Sequence, residues 1–172
     1  MSPLLKGVTP ENSEELHRIS AENQLRVLNS QYESLFNSIC KFATIICNVP
    51  IAMITFVDEQ TVWIKIESGA DGISQVPCTD AFCGWVVKND AYLEIPDISL
   101  DPNHFSHPLV AAQPNFRFYA GAPLKLPLGE VIGTLCIFDT KPNALDETQK
   151  LVLIALAEVL NKALVFKNHI KH

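Results

Sequence analysis

Positive charge is scarce in this chain and none of it is gathered: 13 Lys and Arg stand against 19 Asp and Glu in 172 residues, a formal net charge of −6. Without a basic block the electrostatic footprint of a nucleic-acid partner is missing, and no such partner is expected. The amino end, MSPLLKGVTP, lacks the apolar core of a signal peptide. The longest apolar stretch, Phe42 to Val57, is interrupted by Asn48 and Pro50 and cannot span a bilayer as a helix. These absences predict a cytoplasmic chain without a membrane partner. No phosphate-cradling glycine loop, no Ser-His-Asp order and no paired carboxylates in an apolar setting can be read from the spacing. The five cysteines (Cys40, Cys47, Cys78, Cys83 and Cys136) are odd in number and lie mostly in apolar runs, which fits reduced thiols.

What is present is globular. Hydrophobic residues make up 48% and charged residues 19%, and the length suits one domain with a substantial core. There is no internal repeat and no low-complexity segment. Residues 1–11 read as a loose leader, 12–168 as a single domain and 169–172 as a tail.

Two capping boxes, Asn12…Glu15 and Ser30…Glu33, each open a helix. The second helix is strongly amphipathic, with Leu35, Phe36, Ile39, Cys40, Ala43, Ile46 and Cys47, and Asn48 and Pro50 stop it. A strand from Ile51 to Asp58 turns at Glu59-Gln60 into a second, in which Val62, Ile64 and Ile66 alternate with Trp63, Lys65 and Glu67. Thr79 caps a short helix on which Phe82, Trp85 and Val86 share a face, and Tyr92 to Ile95 is a short strand. The segment from Pro96 to Asn115, with four prolines and two histidines, is too polar and broken for regular structure, and connections of that size often carry function.

The stretch Arg117 to Asp139 organises the rest. It reads as two strands joined at Leu128-Gly129-Glu130. The run Val131 to Phe138 is so continuously apolar that it suits a central strand covered on both faces. Small residues at Ala120, Gly121, Ala122 and Gly133 imply close approach by a ligand or by tightly packed neighbours, and the pattern leaves both open. A third capping box, Asp146…Gln149, starts a final helix to about Lys167. Its apolar cover is wide enough to meet two surfaces, the sheet and another helix or a second copy of the chain.

Four ordered motifs carry a family resemblance: VPIAMITFVD (Val49 to Asp58), AFCGWVV (Ala81 to Val87), DPNHFSHPLV (Asp101 to Val110), and RFYAGAPL with GTLCIFD. Over about Asn12 to Val165 the chain resembles a GAF domain of the bacterial branch found at the amino end of sensor kinases and diguanylate cyclases. The resemblance implies an α+β fold of GAF/PAS type, a central antiparallel sheet of about six strands with helices on both faces. The helix carrying Phe82 and the Pro96–Asn115 loop would cover the face on which ligand-binding members hold ligands.

The expected function is therefore a non-catalytic sensory or regulatory domain that binds a small molecule, dimerises through its helices, or does both. With no output module read after residue 172, its state is expected to pass to a separate signalling protein. The candidate pocket comprises Phe82, Cys83, Phe105, Arg117, Tyr119, Gly121 and Thr134, with no catalytic residue, metal or cofactor. Aromatic walls with a few converging polar groups suit a small, moderately apolar molecule carrying one anionic or carbonyl group. Arg117 has two readings, a structural ion pair with Asp97 or Asp101 and an anion clamp. Asp101, His104 and His107 offer metal-ligand chemistry but are more simply solvated loop residues.

Two alternatives stand beside this: a thiol-dependent free methionine sulfoxide reductase, and a purely structural dimerisation module. Cys83 in a first helical turn suits thiolate chemistry, but the reductase branch needs a further cysteine in the loop after it. None lies between Cys83 and Cys136. Cys136 reads as an apolar-strand cysteine.

Overall fold

The structure is a computed structural model that describes residues 33–57, 61–68, 75–77, 82–101 and 115–168. The leader, the first helix, Cys78 and the loop carrying His104, Phe105 and His107 lie outside the described residues.

Helix α1 (Glu33–Cys47) buries Phe36, Ile39, Cys40, Ala43 and Cys47. Its end is built as the sequence implies. Asn48 takes a left-handed φ of 51°, and the amides of Asn48 and Val49 return to the carbonyls of Ile45 and Thr44 at 3.3 and 3.1 Å, which satisfies two otherwise orphaned acceptors. Strands β1 (Ile51–Val57), β2 (Thr61–Ser68) and β3 (Gln75–Pro77) follow. Helix α2 (Phe82–Asn89), strand β4 (Leu93–Ile95) and a 3₁₀ turn (Ile98–Leu100) precede the hairpin of β5 (Phe118–Lys125) and β6 (Val131–Asp139). Helix α3 (Glu147–Asn168) ends the described chain. It opens on the expected capping box: Gln149 N donates to Asp146 Oδ1 at 2.8 Å, and Asp146 N donates to Gln149 Oε1 at 3.0 Å.

Among the described residues all pairings are antiparallel, and the six strands described run in the order β3-β2-β1-β6-β5-β4. The two motif-bearing strands, β1 and β6, are thus central. Pro123 is tolerated in β5 because β4 pairs only as far as Gly121, so the missing amide falls where no outer strand needs it.

Alternation sorts the core into two layers. Ala52, Ile54 and Phe56 of β1, Phe118, Ala120, Ala122 and Leu124 of β5, and Leu135 and Ile137 of β6 pack with α1 and with Leu153, Ala157, Leu160 and Leu164 of α3. Ile51 and Met53, Tyr119, and Cys136 and Phe138 face the other way, against Phe82, Cys83 and Val86 of α2 and Ile95 and Ile98.

Three readings change. Trp85 does not share the buried face of α2; it is 41% exposed, because Phe82, Cys83 and Val86 span the arc that meets the sheet. The first strand of the hairpin starts at Phe118 rather than Arg117, after Asn115 at φ 60°, and Phe116 joins the α2-side cluster, 4.6 Å from the Phe138 ring. Ala120 lies on the α1–α3 side and contributes no space above Gly121.

Candidate functional site

The α2 side of the sheet holds a buried polar cluster inside an apolar one. Cys83 occupies the first turn of α2, the electropositive end of the helix, and is 4% exposed. Thr134 and Cys136 stand two residues apart on β6 and so point to the same side. Thr134 Oγ1 donates to Cys83 Sγ at 3.3 Å, and Tyr119 OH donates to the same sulfur at 3.6 Å. Thr55 of β1 lies opposite Thr134 in register, with 2.7 Å between the two hydroxyl oxygens. Because Thr134 gives its proton to the sulfur, Thr55 supplies the proton of that second bond. The thiols of Cys83 and Cys136 are 3.7 Å apart, and Cys136 Sγ also lies 3.7 Å from the Met53 carbonyl.

Two glycines make this convergence possible. A Cβ at Gly133 would overlap the carbonyl oxygen of Thr55, so glycine permits β1 and β6 to close on one another. A Cβ at Gly121 would overlap the Tyr119 hydroxyl, because the phenol lies along its own strand above residue 121. Of the two expected purposes, both glycines serve tight packing, of backbone at Gly133 and of the chain's own Tyr119 side chain at Gly121. The Tyr119 ring is clamped between Phe82, at a centroid distance of 5.0 Å, and the edge-on Phe138 at 5.1 Å.

Electrostatics follow from this geometry. The hydrogen-bond contact with Cys136 contributes most to holding the Cys83 thiol below its ordinary range; burial opposes it, Thr134, Tyr119 and Thr55 add to it, and the result is about 6. The partner shows the converse: burial and the neighbouring Cys83 push Cys136 well up, so the pair gives up one proton readily and holds the second. Burial and the Cys83 charge also raise Tyr119, which keeps its phenol a donor. Burial alone drives Cys40 up to about 12, and burial with the charges of Asp146 and Glu94 takes Cys47 to about 11.

Of the residues expected to line a pocket, the structure brings together Phe82, Cys83, Tyr119, Gly121 and Thr134. Phe105 lies outside the described residues. Arg117 sits just before β5, where its amide donates to the Asp139 carbonyl at 2.9 Å and its carbonyl accepts from Ile98 N at 2.6 Å. Its guanidinium is half-buried and Nη1 donates to the Phe116 carbonyl at 3.1 Å. Thr55, Cys136 and the Met53 carbonyl were not foreseen. The Thr134–Cys136 spacing puts Cys136 on the site's side, but only the β1–β6 register brings in Thr55.

Comparison with known proteins agrees with this architecture. A cyclic di-GMP phosphodiesterase of Pseudomonas aeruginosa is 36% identical over 136 residues, which make up 78% of this chain and 23% of that protein. This chain thus spans less than a quarter of that relative's length. Among solved structures, the GAF domain of an Acinetobacter phosphoenolpyruvate-protein phosphotransferase matches with a TM-score of 0.68 at 14% identity, over 91% of this chain and 97% of that one. A free methionine-R-sulfoxide reductase of Neisseria meningitidis, solved with its substrate, gives 0.64 at 18% identity, over 88% and 90%. At those identities the likeness is one of fold. The GAF domain family model matches residues 31–164, the span that holds both central strands, α2 and its thiol cluster, and on that match the chain belongs to the GAF domain family.

Proposed function

We propose that this chain is a non-catalytic sensory or regulatory GAF domain of the cytoplasm. In this reading it binds a small molecule on the α2 side of its sheet, assembles as a homodimer through its helices, and hands its state to a separate signalling protein. One observation carries the reading: the two sides of one sheet differ. The α1–α3 side is a largely apolar cluster, with the buried Asp139 carboxylate at the end of β6 accepting from Lys141 N. The α2 side buries Thr55 and Thr134, with Tyr119 OH and Cys83, inside a ring of apolar residues. A few converging polar groups in an apolar setting are the usual inventory of a small-molecule site. In this reading the Thr134 and Tyr119 hydroxyls, which donate to Cys83 Sγ, are the donors that would meet a carbonyl or carboxylate of the ligand.

Dimerisation is supported by apolar residues left open on both long helices. Phe42 is 48% exposed and Leu151 66%, with Leu35, Ile45 and Val159 open beside them. A symmetric helical interface would cover them.

The test is native mass spectrometry of freshly purified protein, followed by thermal-shift screening against small carboxylates and carbonyl compounds. A bound mass or a ligand-induced rise in Tm is expected, and Thr134→Val and Tyr119→Phe should weaken it while leaving a folded domain. If neither a bound mass nor any shift is found, the ligand-binding reading fails and a structural dimerisation module takes its place.

A thiol-dependent reductase is the second reading, favoured by the donors around Cys83 and opposed by the lack of any cysteine between Cys83 and Cys136. Sustained turnover of free methionine sulfoxide with a thiol reductant, lost in Cys83→Ser, would establish it. The matched segment is 23% of the Pseudomonas aeruginosa phosphodiesterase, and the activity in that name is a property of that longer protein.

A further inference from the structure

We propose that Cys83 and Cys136 form a redox couple, a buried dithiol that hydrogen peroxide closes to a disulfide bridging α2 and β6. Four observations converge. The sulfurs already lie 3.7 Å apart, so bond formation at about 2.05 Å asks for an approach of only about 1.7 Å. Two hydroxyl donors, Thr134 and Tyr119, point at Cys83 Sγ and favour its thiolate, the nucleophilic form. A resolving thiol stands beside the attacking one, the arrangement that stops oxidation at the reversible stage. Finally, Cys83 is 4% exposed and Cys136 0%, which favours an oxidant little larger than water and disfavours a bulky disulfide such as oxidised glutathione.

The chemistry balances. The Cys83 thiolate attacks one peroxide oxygen, the O–O bond breaks, and the departing hydroxide takes up the proton that the thiol released, leaving as water. Cys83 is then a sulfenic acid. The Cys136 sulfur attacks the Cys83 sulfur, the S–O bond breaks, and the hydroxyl leaves with the Cys136 proton as a second water. Two thiols have lost two electrons and one peroxide has been reduced to two waters. As the sulfurs close, Cys83 Sγ changes its position relative to the Thr134 and Tyr119 hydroxyls that donate to it. Oxidation therefore rearranges donors at the centre of the sheet. Cys40 and Cys47 belong to the cluster on the opposite side and serve as internal controls.

The experiment uses the full chain, reduced and then exposed to hydrogen peroxide while folded. It is quenched in acid, alkylated under denaturing conditions and digested for mass spectrometry. The expected result is loss of two alkylatable thiols and a reducible link between the Cys83 and Cys136 peptides, with Cys40 and Cys47 still alkylated. Dithiothreitol should restore both thiols. Cys136→Ser should trap a dimedone adduct on Cys83. The proposal is overturned if Cys83 and Cys136 stay alkylatable, if Cys83 links to Cys78 instead, or if Cys40 oxidises as fast. The wild-type measurement decides the matter even where a variant fails to fold. It also separates this inference from the ligand-binding reading, which the thermal-shift screen on reduced protein tests independently.

Discussion

Replacing Gly133 with alanine tests how the fold makes the site. The added methyl overlaps the Thr55 carbonyl oxygen and lies 2.9 Å from the Thr55 carbonyl carbon and 3.1 Å from Phe56 Cα. All three are main-chain atoms of a central strand and have no rotamer to escape into. β1 and β6 must separate, an overpacking that costs about 1–3 kcal/mol. The 2.7 Å contact between Thr55 and Thr134 is then lost as well, at a net cost of about 1 kcal/mol. The expected destabilisation is about 2–4 kcal/mol, a large share of the roughly 5–15 kcal/mol that holds such a domain. At about 2–4 °C per kcal/mol for this size, Tm falls by roughly 5–15 °C. Urea unfolding followed by circular dichroism reads this as a lower midpoint at an unchanged slope. Gly129→Ala is the control. Gly129 has φ 91° but open space around it, so alanine there costs about 1 kcal/mol from backbone conformation alone and leaves the thiol cluster as it was. The reasoning is refuted if Gly133→Ala lies within about 0.5 kcal/mol of wild type, the range of an indifferent surface change.

Thiolate absorbance at 240 nm should rise near pH 6 in wild type and stay flat there in Cys83→Ser, with Thr134→Val shifting the rise to higher pH. The folded value lies below the ordinary thiol value of 9.0, so the contribution to stability is present in full above the unfolded value and shrinks as pH falls through about 6. Cys136, pushed the other way, works against stability only at more alkaline pH. Asp146→Ala removes the acceptor for Gln149 N, and thermal unfolding should show a loss of about 1 kcal/mol. Phe42→Glu and Val159→Glu should lower the assembly mass seen by light scattering, and a wild type that stays monomeric at high micromolar concentration refutes the dimer.

Much of this domain was legible before any coordinate was known. Local chemistry sets the Asp146–Gln149 capping box and the Asn48 stop, because both need only residues a few positions apart. The continuous apolar run of β6 follows from burial on two sides, and strict alternation in β5 sent Phe118 one way and Tyr119 the other. Four motifs in order were enough to point to the family. The site was only half legible. The sequence groups Phe82, Cys83, Tyr119, Gly121 and Thr134 as neighbours, but as the walls of a space, whereas the Tyr119 ring itself lies over Gly121. Cys136 was read as a thiol in apolar surroundings, yet it meets Cys83, 53 residues away in sequence. Thr55 pairs with Thr134 across 79 residues. Such partners are decided by the register of β1 on β6 and by how closely Gly133 lets the two strands approach. Register and approach depend on side chains from the whole sheet packing at once, and so only the tertiary structure decides them.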